Sequence, residues 1–179
     1  MKNVIALTFG LLLLVGAGLF VLYSGIYNIS TGNHDTALVN WLLDTGMMRA
    51  VQYHAKGIIA PALTDPAMIR TGCAHYREMC VMCHAAPGVE PGEIAAGLWP
   101  TAPKLREGVS DWTPAELFWI IKYGIKFTAM PAWGPSHNDD QIWALVAFVE
   151  KQPQLSAQEY AAMASDAGTQ LPLETTHHD

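Results

Sequence analysis

With 179 residues the chain has room for one modest domain plus extras, and is too short for two ordinary ones. Its net charge is −6 and it contains no basic run, which excludes a nucleic-acid-binding face. The charge is unevenly spread. Residues 1–64 carry three basic and two acidic side chains, residues 65–153 seven and ten, and the stretch from Gln154 four acids and no base.

The first element is the uncharged run from Val4 to Tyr23, VIALTFGLLLLVGAGLFVLY. At about 1.5 Å per residue it would cover roughly 30 Å as a helix, the thickness of a bilayer's hydrocarbon core. A cleaved signal peptide is the rival reading. Its apolar region usually runs about 7–15 residues and ends at a small-x-small site. This run is longer and offers only Ser24-Gly25, so an uncleaved anchor is expected. Lys2 precedes it and no Lys or Arg follows until Arg49, so the positive-inside rule keeps the N-terminus in the cytoplasm and exports the rest.

A polar joint, Ser30 to Asp35, leads to a helix predicted over Thr36 to His54, with Leu38, Trp41, Leu42, Met48 and Val51 at roughly helical spacing. It is expected to lie at the membrane interface or against the next domain; docking to a partner subunit is the alternative. Asp65-Pro66 then reads as an N-cap with proline in the first turn, opening a helix to about Met79. Residues 86–112 are rich in Pro and Gly, with no strand-like alternation. Thr113-Pro-Ala-Glu116 is a capping box, and its helix is expected to stop at Gly124. Asn138-Asp-Asp-Gln141 is another, opening a helix to near Pro153. The acidic tail 154–179 is expected to hold one weak helix and otherwise to be disordered.

The chemistry is concentrated in CVMCH, Cys80 to His84. A zinc site takes four ligands, usually two such pairs, and Cys73 is the only other cysteine. A thioredoxin-like redox pair would need strand–helix alternation, which is missing. Cys-x-x-Cys-His is the signature of c-type haem attachment. Each thiol adds to one vinyl group at the same edge of the porphyrin, and the histidine that follows lies under the iron. His84 is therefore the expected proximal ligand. The sixth should come from far along the chain. Met130 in TAMPAW is the candidate, beyond the helix ended by Gly124 and stiffened by Pro131. A thioether favours Fe(II) and raises the potential relative to two histidines. His137 is the rival, in a bis-histidine site; beside Asn138 it is expected to face solvent or a propionate.

From about Asp65 to Pro153 these features resemble class I cytochromes c, and the whole chain is similar to the membrane-anchored monohaem cytochromes c of bacteria. Gly72 and Tyr76 stand eight and four residues before Cys80. In the family such a pair lets the first and last helices cross closely, against residues matching Leu145 and Phe148. Thr101-Ala-Pro-Lys-Leu105 matches the loop whose proline carbonyl, here Pro103, accepts a hydrogen bond from the proximal imidazole, with Leu105 walling the haem. The resemblance implies an all-α class I cytochrome c fold around one covalent haem c, preceded by a single N-terminal transmembrane helix and a juxtamembrane helix. The corresponding segments are an anchor over 1–29, a juxtamembrane helix and linker over 30–64, the cytochrome domain over 65–153, and the tail over 154–179.

The cofactor-binding residues implied are Cys80, Cys83, His84, Met130, Pro103 and Leu105, with His84 and Met130 on the iron. A six-coordinate iron exchanges single electrons and leaves no open position. The function expected is that of a membrane-tethered periplasmic electron carrier, not an enzyme, held by its N-terminal helix in the bacterial cytoplasmic membrane. A quinol-oxidising complex or dehydrogenase would be donor, and a terminal oxidase or reductase acceptor. An acidic domain suits a partner with a positive docking patch. Two alternatives are a fixed cytochrome subunit of a larger oxidoreductase, and a haem-based sensor or peroxidase, which would require Met130 to be displaced. Cys73 is expected to be a packing residue. His34, His54 and His75 have no ligand partner at helical spacing, and His177 and His178 belong to a solvated end. Trp99, Trp112, Trp119, Trp133 and Trp143 are expected in the core or haem pocket, Trp133 nearest the exposed haem edge.

Overall fold

Among the described residues of the computed structural model, which are 1–33, 35–109 and 111–167, the backbone is helical and no strand forms. A lone bridge joins Ala86 and Val89. His34, His177, His178 and the end of the tail lie outside the described residues.

The chain divides into two compact units between residues 34 and 35. The first holds α1, Lys2–Ser24, closed by Gly25 in the left-handed region (φ 67°). It has no buried residue, and its mean hydropathy reaches 2.6. By length and composition this helix can cross a membrane.

The second unit is built on two helices, α3 (Pro66–Met79) and α7 (Asp139–Lys151), which cross in direct backbone contact. Asp65 caps α3 by accepting from the Ala67 amide at 2.9 Å. Asn138 and Gln141 form the reciprocal box on α7, at 3.0 and 2.9 Å. The crossing is possible because Gly72 has no side chain: a Cβ there would lie 1.9 Å from the Ala144 carbonyl oxygen. Tyr76 meets Phe148 one turn further on, ring centroids 5.1 Å apart. Every residue from Ile142 to Val149 is buried, so α7 is apolar all round and forms the core itself. Its other side receives α6 (Pro114–Tyr123), where Phe118 stacks on Trp143 at 4.3 Å. Cys73 is fully buried in this core, and burial pushes its thiol up to about 11. That environment suits packing and not reactivity.

Helix α2, Ala37–His54, belongs to this second unit and reaches α6 through its C-terminal end. Val51 and Ala55 are buried, and His54 stacks on Trp119 at 5.5 Å. Short turns α4 (Val81–His84) and α5 (Glu93–Ala96) and a 3-10 turn at Leu105–Glu107 complete the segment between α3 and α6.

The one helix expected in the stretch from Gln154 is present. Residues Ala157–Ala167 form α8, which packs on α3. Tyr160 and Ala164 are buried, and Tyr160 extends the Tyr76–Phe148 pair. Arg77 of α3 donates to the Ala164 carbonyl. Ser156 and Glu159 make a capping box, with amide contacts of 2.8 and 3.2 Å. A few apolar residues on one face suffice for such a helix when a core is there to receive them.

Gly72→Ala should cost about 3 kcal/mol, since the obstacle is backbone and only helix separation relieves it. Tyr160→Ala should cost about 3 kcal/mol if α8 contributes to the core. Urea unfolding of the intact, haem-loaded chain measures both.

Candidate haem site

Cys80 ends α3, and the chain turns at once into α4, which carries Cys83 and His84. The amides of Cys83 and His84 both bond the Cys80 carbonyl, at 3.1 and 2.9 Å. The three residues of the motif are thus gathered on one turn. Both thiols are free of any disulfide. Burial, with the neighbouring Cys83, pushes the Cys80 thiol up to about 12, so it carries no thiolate at neutral pH.

Ala85 follows with φ 61° and ψ 177°, a conformation costly for any residue but glycine. Its carbonyl accepts from the Tyr76 hydroxyl at 2.6 Å. The helix-crossing residue therefore also braces the turn that ends the motif, a link that no local pattern announced.

His84 lies 2.8 Å through Nδ1 from the Pro103 carbonyl. A carbonyl only accepts, so Nδ1 carries the proton and the Nε2 lone pair is left for a metal. Burial holds His84 below the usual histidine range, against the opposing pull of the Pro103 bond. The ring is kept neutral, as ligation requires. Leu105, two residues beyond Pro103, packs half-buried against the core.

Met130 sits on the loop that joins α6 to α7. Gly124 starts this loop at φ 67°, where a Cβ would meet the backbone of Met130, Pro131 and Ala132 at 2.7–2.8 Å. The loop then folds back on α6. The Trp133 amide donates to Ile121 O at 3.1 Å, and Gly134 to Lys122 O at 2.9 Å, satisfying carbonyls that a helix end leaves open. Ile125 N donates to Met130 O at 3.2 Å. Thr128 Oγ1 accepts from the Met130 amide at 3.1 Å and donates to Ile125 O at 2.8 Å. Met130 is half-buried against the same core as Cys80 and Leu105. His137, the rival ligand, hydrogen-bonds Ser136 Oγ at 2.9 Å and stands edge-on to Trp133.

The donor set fits a covalent haem c: two unpaired thiols and a neutral imidazole with one nitrogen committed to a carbonyl. A further sign is the buried Trp133 Nε1, which finds no acceptor among the described residues. That N–H was not singled out as a donor in the sequence, since only the fold buries it. Among the described residues no group of three or more His, Cys, Asp or Glu could hold a separate metal ion.

An all-helical arrangement in which α3 crosses α7 and CVMCH follows the end of α3 is the class I cytochrome c fold. Residues 67–149, from the first turn of α3 almost to the end of α7, match the model of the family described as cytochrome C oxidase, cbb3-type, subunit III. The comparisons with curated proteins and with solved structures each returned no match. A cytochrome c domain implies covalently bound haem c and electron transfer through it.

Gly124→Ala should destabilise the fold by about 2 kcal/mol, through the left-handed backbone and the blocked approach of the loop. Amide hydrogen exchange at Trp133 and Gly134 should accelerate more than at α3, because their bonds tie the loop to α6.

Proposed function

We propose that this chain is a membrane-tethered electron carrier on the periplasmic side of a bacterial cytoplasmic membrane. It would exchange one electron at a time through a single haem c that Cys80 and Cys83 would hold by thioethers, with His84 and Met130 as ligands to its iron. When bound, haem c supplies a one-electron Fe(III)/Fe(II) couple; the residues of the chain hold, orient and shield it. The observation that carries the reading is His84, kept neutral by burial and aimed by Pro103. Support on the other side comes from a Met130 loop whose backbone is bonded to itself and to α6. Leu105 and Trp133 complete the pocket, one as an apolar wall and the other as a buried N–H donor for a propionate. Tethering through α1 confines the domain near other membrane proteins and raises its effective concentration there. Donors of the expected class are quinol-oxidising complexes or dehydrogenases, and acceptors are terminal oxidases or reductases.

A second reading, the fixed subunit of a larger oxidoreductase, is favoured by α2. Leu38, Trp41, Leu42 and Met48 are all exposed on it and lie within about 120° of one another around the helix axis. Such an exposed apolar stripe suits burial within an assembly better than free solution. The matched family is itself described as an oxidase subunit.

The reduced, detergent-solubilised chain should keep its visible haem spectrum unchanged under carbon monoxide, and Met130→Ala should bind carbon monoxide readily. Ready binding by the native chain would displace the carrier reading in favour of a sensor or peroxidase. Mild detergent extraction separates the first two readings: a carrier comes away alone, whereas a subunit co-purifies in fixed ratio with one complex.

A further inference from the structure

One cluster has no part in the site as described. His75, on α3, is buried, with a relative exposure of 7%. Its ring meets that of His137 edge-to-face, centroids 5.2 Å apart and planes at 79°. His137 in turn stands perpendicular to Trp133 at 5.5 Å and shares a hydrogen bond with Ser136. The amides of Ser136 and His137 both donate to the Trp133 carbonyl, at 3.1 and 2.9 Å. Residues 133–137 are therefore one tight turn that begins three residues after Met130. His75 is where α3 meets this turn through a side-chain ring contact.

We propose that His75 and His137 form a latch that holds the Met130 loop against α3 and releases it when the buried His75 takes up a proton. The edge-to-face contact accommodates two neutral rings. A charge on His75 is disfavoured there, by its burial and by the neighbouring His137. The charges at the pair are few. Glu78, on α3 itself, favours the charged form of His75, while burial and His137 disfavour it and together outweigh it. Arg77 is turned away, bonded to α8. Helix α7 opens beside His137 with Asp139 and Asp140, and Asp139 is held by Lys122 of α6 at 2.5 Å. Helix α8 presents Tyr160 to this core.

The sign follows from burial. His75 in the closed form binds its proton less readily than an ordinary histidine, whose range centres near about 6.5. An opened loop restores ordinary binding. Opening therefore takes up protons, and acidification below that range drives it. Above it His75 is neutral and the latch is closed. Within the reading of Met130 as ligand, the pair is a positioning element, acting on the sulfur through the 133–137 turn.

The test is an acid titration of the oxidised full chain in detergent, following the long-wavelength charge-transfer band of a methionine–Fe(III) bond, with far-ultraviolet circular dichroism as the control for unfolding. The native band should be lost reversibly below pH about 6.5 while helicity persists. In His75→Gln and in His137→Gln the loss should move to lower pH by about one unit, a tenfold change in proton concentration. Should the buried His75→Gln chain fail to fold, His137→Gln, whose ring is only half-buried, decides alone. A native band that survives undiminished into acid overturns the latch, as does a midpoint unmoved in the folded variants. A band missing at every pH overturns the Met130 assignment itself, a failure separate from a band that is present but insensitive to pH.

Discussion

The contact on which the rest of this structure depends is the zero-clearance crossing of α3 and α7 at Gly72 and Ala144. Two helices normally keep 8–10 Å between axes because side chains stand between them. Here the missing Cβ lets backbone meet backbone. Tyr76 and Phe148 then fall into register, and α8 adds Tyr160 to the same stack. The crossing sets where α3 ends, and so where Cys80, Cys83 and His84 are delivered. Through the Tyr76 hydroxyl it also braces Ala85, the strained residue immediately after the motif.

Around the candidate site the chain uses backbone groups more than side chains to hold its donors. Pro103 contributes only a carbonyl, Thr128 ties the Met130 amide, and the open carbonyls of α6 anchor Trp133 and Gly134. Such contacts rigidify a loop without adding charge beside the candidate donors. Charges lie further out, as in the pairing of Glu90 with Lys104 and Arg106 at the rim of the Pro103 loop. The two halves of the site thus come from loops stabilised independently: one leans on α3 and the other on α6. The His75–His137 contact joins the second of these to α3.

Much of the architecture was legible because it is written in local chemistry. Asp65-Pro66, Thr113 to Glu116 and Asn138 to Gln141 mark helix starts by side chains that satisfy their own first-turn amides, and those helices begin there. Ser156 to Glu159 is a box of the same form, overlooked because the surrounding composition reads as a solvated tail. The turn α4 is four residues long and lies beyond what periodicity can register.

By itself the sequence determined the helix starts, the span-length apolar run and the attachment motif, since each depends on neighbours within a few residues. It also supplied the glycine and the tyrosine that the resemblance to class I cytochromes c marked for a close helix crossing. Only the tertiary structure decided that α8 belongs to the core and that α2 meets α6 near its C-terminal end. It likewise decided that Trp133 has a buried N–H without an acceptor, and that His75 meets His137. Those outcomes depend on residues 60 or more positions apart meeting across an interface, as His75 and His137 do. No local periodicity encodes which surface will be there to receive them.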